Sequence, residues 1–291
     1  MLLNNISKLG KFSTVALVLM SASTLASTTT TTNFGSVSDT GNNFNEFTVS
    51  AGGVDMTVSG WSDTANFSGG SSSNPLTGDD KIASARDFDA NGDGWSMENR
   101  DEAKTDGTQK TWNDGYHHSA DNLSDGSSQD YDMFLIEFSE AVNLSAATYS
   151  WIYGSSSTKV ANNQVTVAAL NNGDLNGKNW ADVASNTNTM SSGYSQMQYN
   201  SGYYTDFTST GSSTSNVDGV FSQFWLVGAL NTVFGGDIAD EGNDGMKFSG
   251  VSFTTQPGTP PPPTTVAEPT TIAIFGLALI GLFASSRRKI K

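Results

Sequence analysis

From Phe34 to Phe253 the chain alternates between short apolar or alternating runs and clusters of Ser, Asn, Gly and Asp. The runs include "NEFTVSAGGVDMTVSGW", "YDMFLIEF", "AATYSWIY", "NQVTVAAL", "FWLVGAL" and "GMKFSGVSF". Segments this rich in Val, Phe, Tyr, Trp and Thr read as strands, because β-branched and aromatic side chains suit a pleated, half-buried surface. Helical periodicity of any length is absent before the C-terminal segment. Many short strands with turn-rich connections predict an all-β ectodomain over 34–255, an antiparallel β-sandwich or jelly roll. The threonine run Thr28–Thr32 predicts a disordered or glycan-bearing lead-in over 27–33.

Two apolar segments at the ends break this pattern. Lys8 and Lys11 precede "VALVLM", and small residues then lead to Ala26 with Thr24 two places before it. That order predicts a secretory signal peptide over 1–26, preferred to a retained anchor because its apolar part is short. At the other end, the run Ile272–Ala284 is followed at once by Arg287, Arg288, Lys289 and Lys291. Thirteen residues make only about 20 Å of helix against about 30 Å of bilayer hydrocarbon. Counting from 270 to 286 gives about 25 Å, enough for a single transmembrane helix with some bilayer thinning or snorkelling. The alternative, a C-terminal core helix, is disfavoured because the run has no polar face. The basic tail 287–291 stays on the cytoplasmic side by the positive-inside rule. Between body and span, "QPGTPPPPTTVAEP" cannot pair in a sheet and favours extended polyproline, which predicts a stalk over 256–266.

Charge narrows the function classes. The chain carries 14 Lys+Arg and 29 Asp+Glu; setting aside the terminal signals leaves 8 bases against 28 acids, a net of −20. Such a body repels nucleic acid and anionic lipid and attracts divalent cations. There is no cysteine, although an exported chain meets conditions that permit disulfides, so the fold rests on its hydrophobic core.

Among candidate chemistries, "DFDANGDGWSME" is the sharpest. Asp87, Asp89, Asn91, Asp93 and Glu98 occupy positions 1, 3, 5, 7 and 12 of an EF-hand-type calcium loop, with Gly92 at the sharp turn. Gly94 stands where an apolar anchor belongs, and a strand starting at "GWSMEN" would deny Glu98 the freedom to swing back. A solvated acidic loop therefore remains the alternative. His117 and His118 are the only histidines, and adjacent strand residues point to opposite faces, so they do not grip one metal together. His118 with Asp121 and Asn122 reads as a structural turn whose side chains bond the backbone. Tyr194, Tyr199, Tyr203 and Tyr204 crowd a polar, glycine-containing stretch; they form either a sugar-stacking platform or ordinary half-buried packing at strand ends. A nucleophile elbow, a phosphate loop and His-Glu-x-x-His are all missing, so no catalytic residue is assigned.

Glu268-Pro269, the apolar span and the Arg-rich end at Arg287 and Arg288 together resemble the PEP-CTERM sorting signal of Gram-negative bacteria over 267–291, with Ala267 where the tripeptide's first proline would stand. The resemblance implies recognition by an exosortase, a membrane protease that cuts near the tripeptide after export by the secretion machinery. The body also looks like the exosortase-dependent surface proteins that carry this tail. The stretches "GWSMENRDE", "HSADN" leading into "YDMFLIEFSEAVNL", "FWLVGAL" and "DGMKFSGVSF" carry that likeness. It implies a precursor held in the inner membrane and then surface display, with no catalytic activity. The expected role is a non-enzymatic surface or extracellular-matrix protein associated with exopolysaccharide. A calcium-dependent carbohydrate-binding module is the alternative, and a secreted glycan hydrolase the third reading.

Overall fold

Gly52 and Gly53 show how directly the sequence sets one local element. Both have positive φ, 60° and 84°, the left-handed pair that a two-residue hairpin turn requires. They join two of the strands in a computed structural model whose described residues are 28–37, 46–63, 81–85, 87–91, 94–98, 119–122, 131–153, 163–208, 216–236 and 244–256. All lie inside the unit Ser27–Gln256. In chain order the strands are β1 (Thr29–Asn33), β2 (Glu46–Ala51), β3 (Val54–Ser62), β4 (Ala83–Ser84), β5 (Asp87–Asn91), β6 (Gly94–Glu98), β7 (Ala120–Asp121), β8 (Met133–Ile152), β9 (Gln164–Leu170), β10 (Thr189–Gln196), β11 (Gln198–Tyr199), β12 (Tyr203–Asp206), β13 (Ser222–Ala229) and β14 (Gly245–Thr255). Among the described residues one short α-helix, α1 (Trp180–Ala184), is capped by Asn179, whose side chain accepts from the Asp182 N–H while the Asp182 carboxylate accepts from the Asn179 N–H.

β8 organises the rest. Its first half pairs with β3 on one side, Met56↔Phe138 to Trp61↔Met133, and with β13 on the other, Phe224↔Glu137 to Gly228↔Met133. Its second half pairs instead with β14 and β12. The exchange of neighbours falls at Ser139–Ala141, where the β13 register jumps from Phe224↔Glu137 to Ser222↔Val142. Gln223 steadies this corner by donating from Nε2 to the carbonyls of Phe138 (3.4 Å) and Ser139 (3.3 Å). The result is a first half-sheet, β10-β9-β13-β8-β3-β2, and a second, β11-β12-β8-β14. Along the far edge of β14 lie β7, β6 and β1.

The half-sheets face each other across the core: Phe134 stacks on Phe248 at 4.8 Å, and Phe138 meets Phe253 edge-on at 5.2 Å. On the other face of the first half-sheet, Met133, Leu135, Ala168, Leu170 and Leu226 pack under Trp180 and Val183 of α1. Burial on both faces explains why "MFLI" is continuously apolar rather than alternating.

Three expectations change. The architecture is all-β and antiparallel, but the sandwich of two separate sheets is one hydrogen-bonded network of 14 strands, because β8 is long enough, at 20 residues, to serve both layers. The lead-in 27–33 is no loose tail: Thr29–Asn33 is β1, antiparallel to β14 from Thr29↔Thr254 to Asn33↔Gly250. Threonine is β-branched and suits an edge strand, and Thr32 is buried beneath it. β1 lies so close that a Cβ on Gly250 would run into the Thr32 carbonyl. Finally, "YDMFLIEF" and "AATYSWIY" are two parts of a single strand. Among the described residues no helix is long and apolar enough to cross a membrane. The signal peptide expected over 1–26, the expected stalk beyond Gln256 and the span expected at 270–286 lie outside them.

Candidate functional site

A buried polar cluster sits where β7, β8, β9 and β14 meet. Asn122, just after β7, is completely buried and uses both ends of its amide. Its Nδ2 donates to the Leu230 carbonyl (2.9 Å) and to Asp244 Oδ2 (2.8 Å), while its Oδ1 accepts from the Asp244 N–H (2.9 Å). Asp244 Oδ1 accepts from the Gln164 N–H (2.5 Å). Asn163 extends the chain of contacts, donating to the Tyr153 carbonyl and accepting from the Gly245 N–H. Beside it, Asp132 Oδ2 accepts from the Asp121 N–H (3.1 Å), Asp121 Oδ2 accepts from Ser119 Oγ (2.6 Å), and Asp63 Oδ1 accepts from the Tyr131 N–H (2.9 Å). Most of these oxygens accept from backbone N–H groups, which must be satisfied where chain is buried, and Asp121 Oδ2 and Asp244 Oδ2 accept from side chains. The cluster clamps strand ends. Among the described residues, no group of three or more His, Cys, Asp and Glu is placed to hold a metal.

This revises the turn expected around Asp121 and Asn122. Asn122 does bond backbone, but at residues 108 and 122 positions away instead of in its own turn. His117 and His118 lie outside the described residues.

The calcium-loop residues fall on a hairpin. β5 and β6 pair antiparallel with Asp87↔Glu98, Asp89↔Ser96 and Asn91↔Gly94. A backbone that runs out and back as paired strands differs from the wound loop in which positions 1, 3, 5, 7 and 12 converge. The side chains of Asp87, Asp89, Asn91 and Glu98, and the whole of Asp93, lie outside the described residues.

The four tyrosines separate onto different faces. Tyr199 and Tyr203 are cross-strand partners with ring centroids 5.1 Å apart; Tyr199 is 58% exposed, and Tyr203 packs against the core. Tyr204, the next residue on β12, points to the opposite face and donates its hydroxyl to Gln198 Oε1 (2.8 Å). Tyr194 stands opposite Thr166, on the side of the first half-sheet that faces α1. A four-ring platform is therefore not formed; one pair is.

Trp151 escaped the sequence reading. Simple alternation along "TYSWIY" puts Trp151 on the same face as Tyr149. A register shift in the pairing with β14, from Lys247↔Trp151 to Phe248↔Tyr149, lodges Ser150 between them and turns Trp151 outwards. Tyr149 stays buried, accepts from Thr205 Oγ1 (3.0 Å), and has its pKa pushed up by burial, partly offset by that bond. Lys247 Nζ lies 6.0 Å from the Trp151 ring centroid, and burial lowers the lysine's pKa.

The sorting residues Ala267, Glu268, Pro269, Arg287 and Arg288 lie outside the described residues. Comparison with curated proteins and with solved structures gives no match. Residues 265–289 do match the PEP-CTERM protein-sorting motif. PEP-CTERM proteins are exported and anchored in the membrane before cleavage, and the motif implies processing by an exosortase, itself a membrane protein. The chain thus carries, at its C-terminal end, the sorting signal of an exported, exosortase-processed protein.

Proposed function

We propose that this protein is a non-enzymatic component of the cell surface or extracellular matrix of a Gram-negative bacterium, associated with exopolysaccharide. The PEP-CTERM motif at residues 265–289 carries the reading. The order of parts supports it: a signal-peptide pattern, a folded β-rich body, a proline-rich stalk and then the motif. The excess of 15 negative charges favours solubility outside the cell and disfavours nucleic acid. A proline at 269 disfavours helix at Glu268, a propensity that suits presentation of the dipeptide to a protease groove. The apolar span begins directly after it, which sets the cut at the outer membrane–water interface.

Intact-mass analysis of surface-extracted protein tests this. Mature chains should lack the apolar span and basic tail and should have left the inner membrane, while the precursor fractionates with it. Recovery of full-length C termini only, still ending in "SSRRKIK" and fixed in the inner membrane, would show a permanent anchor instead.

A further inference from the structure

The outer face of the second half-sheet gathers a set of groups that the core does not use. Met246 and Phe248 are fully buried, so Lys247 between them projects to the other side, directly opposite Trp151. Beside this pair, Ser249 and Thr148 bring their hydroxyls within 3.2 Å of each other. Across β8, Tyr204 stands opposite Thr148 with its hydroxyl on Gln198. Trp151, Lys247 and Tyr204 are all half-buried. Gly94 borders the patch, and a Cβ there would meet Ser150 Oγ and Lys247 Cβ.

The chemistry of this face is specific. Indole and phenol rings offer flat apolar surfaces with polar edges, and hydroxyl and amide groups lie beside them. Lys247 has no carboxylate partner among the described residues, whereas Lys178 pairs with Asp174 at 3.4 Å. Burial has already removed part of the water around this lysine. Among the described residues, Asp206 on the same face stands opposite Ala146, five positions along β8 from Trp151, or about 17 Å by strand rise.

We propose that this face binds an acidic polysaccharide, a sugar ring lying on Trp151 and Tyr204 while a uronate carboxylate bonds Lys247. The proposal rests on the reading of the protein as a surface component associated with exopolysaccharide, and it names the contact. One cation beside aromatic rings fits a sparse carboxylate; a dense polyanion would meet the repulsion of the whole body. A cation already over an indole keeps the ring and the charge in one orientation for the ligand.

The test uses full-length protein in detergent, titrated calorimetrically with glucuronoxylan and with the same polymer after reduction of its carboxyl groups. Binding should be present with the acidic polymer. Trp151→Ala should weaken it by about tenfold or more. Lys247→Gln should weaken it for the acidic polymer only, leaving affinity for the reduced polymer unchanged, and its melting temperature should match the parent's. Absence of binding to the acidic polymer, or binding indifferent to both substitutions, overturns the proposal. So does loss of self-association in Lys247→Gln without any glycan binding, which would give the face to acidic residues of a second copy. A cleaved C terminus alongside absent glycan binding would leave the sorting function standing and remove only this contact.

Discussion

Two polar regions of this protein lie within one fold and behave as opposites. Around Asn122, Asp132 and Asp244 the polar side chains are buried and bond backbone N–H groups, a carbonyl and one another. Around Trp151 and Lys247 they are half-exposed, and the cation rests on a ring instead of an acid. By residue type alone the first region, rich in Asp and Asn, is the more inviting site. Geometry reverses that ranking. A carboxylate whose lone pairs are occupied by the chain's own donors contributes to folding and has little left for a ligand. In a chain with 29 acids, acidity alone is a poor guide to function.

The comparison breaks most readily at Asn122. Asn122→Ala would leave the Leu230 carbonyl and the Asp244 N–H without their partners in a site from which water is excluded. The expected cost is about 3 kcal/mol, enough to lower the melting temperature by roughly 10 °C in a body of this size. Urea or thermal unfolding of the full-length protein measures it. A loss no greater than that of an exposed substitution would mean that the cluster is solvated and open, and the contrast between the two regions would fail.

How much of this was legible from the sequence depends on range. The β2–β3 hairpin is written locally, inside the strand-forming run "NEFTVSAGGVDMTVSGW", and the chain folds back on itself there at Gly52-Gly53. So are the runs that became β9, β13 and β14. The continuity of β8 was hidden because Ser139 and Glu140 mark a corner and look like a loop. The Thr29–Asn33 strand was missed because its partner, β14, lies at the far end of the body. Asn122 and Asp244 are likewise brought together over 122 positions, a distance no local pattern reports. "DFDANGDGWSME" reads two ways for a different reason. Calcium-loop ligands at positions 1, 3 and 5 have the same period of two as a strand, so Asp87, Asp89 and Asn91 satisfy both patterns, and the backbone took the strand. Trp151 was obscured by one inserted residue, since a single bulge exchanges the two faces of everything beyond it. The capping box of α1, Asn179 with Asp182, is a local helix signal too short to register as periodicity.

Tyr149 sharpens the comparison from the core side of the same strand that carries Trp151. Its hydroxyl is buried and accepts from Thr205. Tyr149→Phe should cost about 1 kcal/mol, the size of one buried hydrogen bond, and leave glycan binding at the outer face unchanged. Equilibrium unfolding and the titration described above separate these two effects. A Tyr149→Phe variant that folds as well as the parent but binds less would mean that the two faces of β8 are coupled.

Glu137 gives the smallest effect and tests whether the acid excess itself has a cost. It lies on the first half of β8, and its carboxyl is held above the usual carboxylate range, first by partial burial and then by the charge of Glu46. A pKa raised in the folded state means that the native protein favours the protonated form. The stabilising contribution is therefore complete below the unfolded-state pKa, about 4.3, and is lost as pH rises through the higher folded-state value. At neutral pH the ionised carboxylate opposes folding. Glu137→Gln, which is neutral at every pH, should then be more stable than the parent at pH 7, by roughly a few tenths of a kcal/mol because solvent screens an exposed group. The advantage should shrink as pH falls towards 4, where the parent's carboxyl takes up its proton. Melting curves at a series of pH values follow the difference. An advantage that stays constant with pH would trace to packing instead, and a parent more stable than the variant at pH 7 would show that Glu137 is held by an attraction.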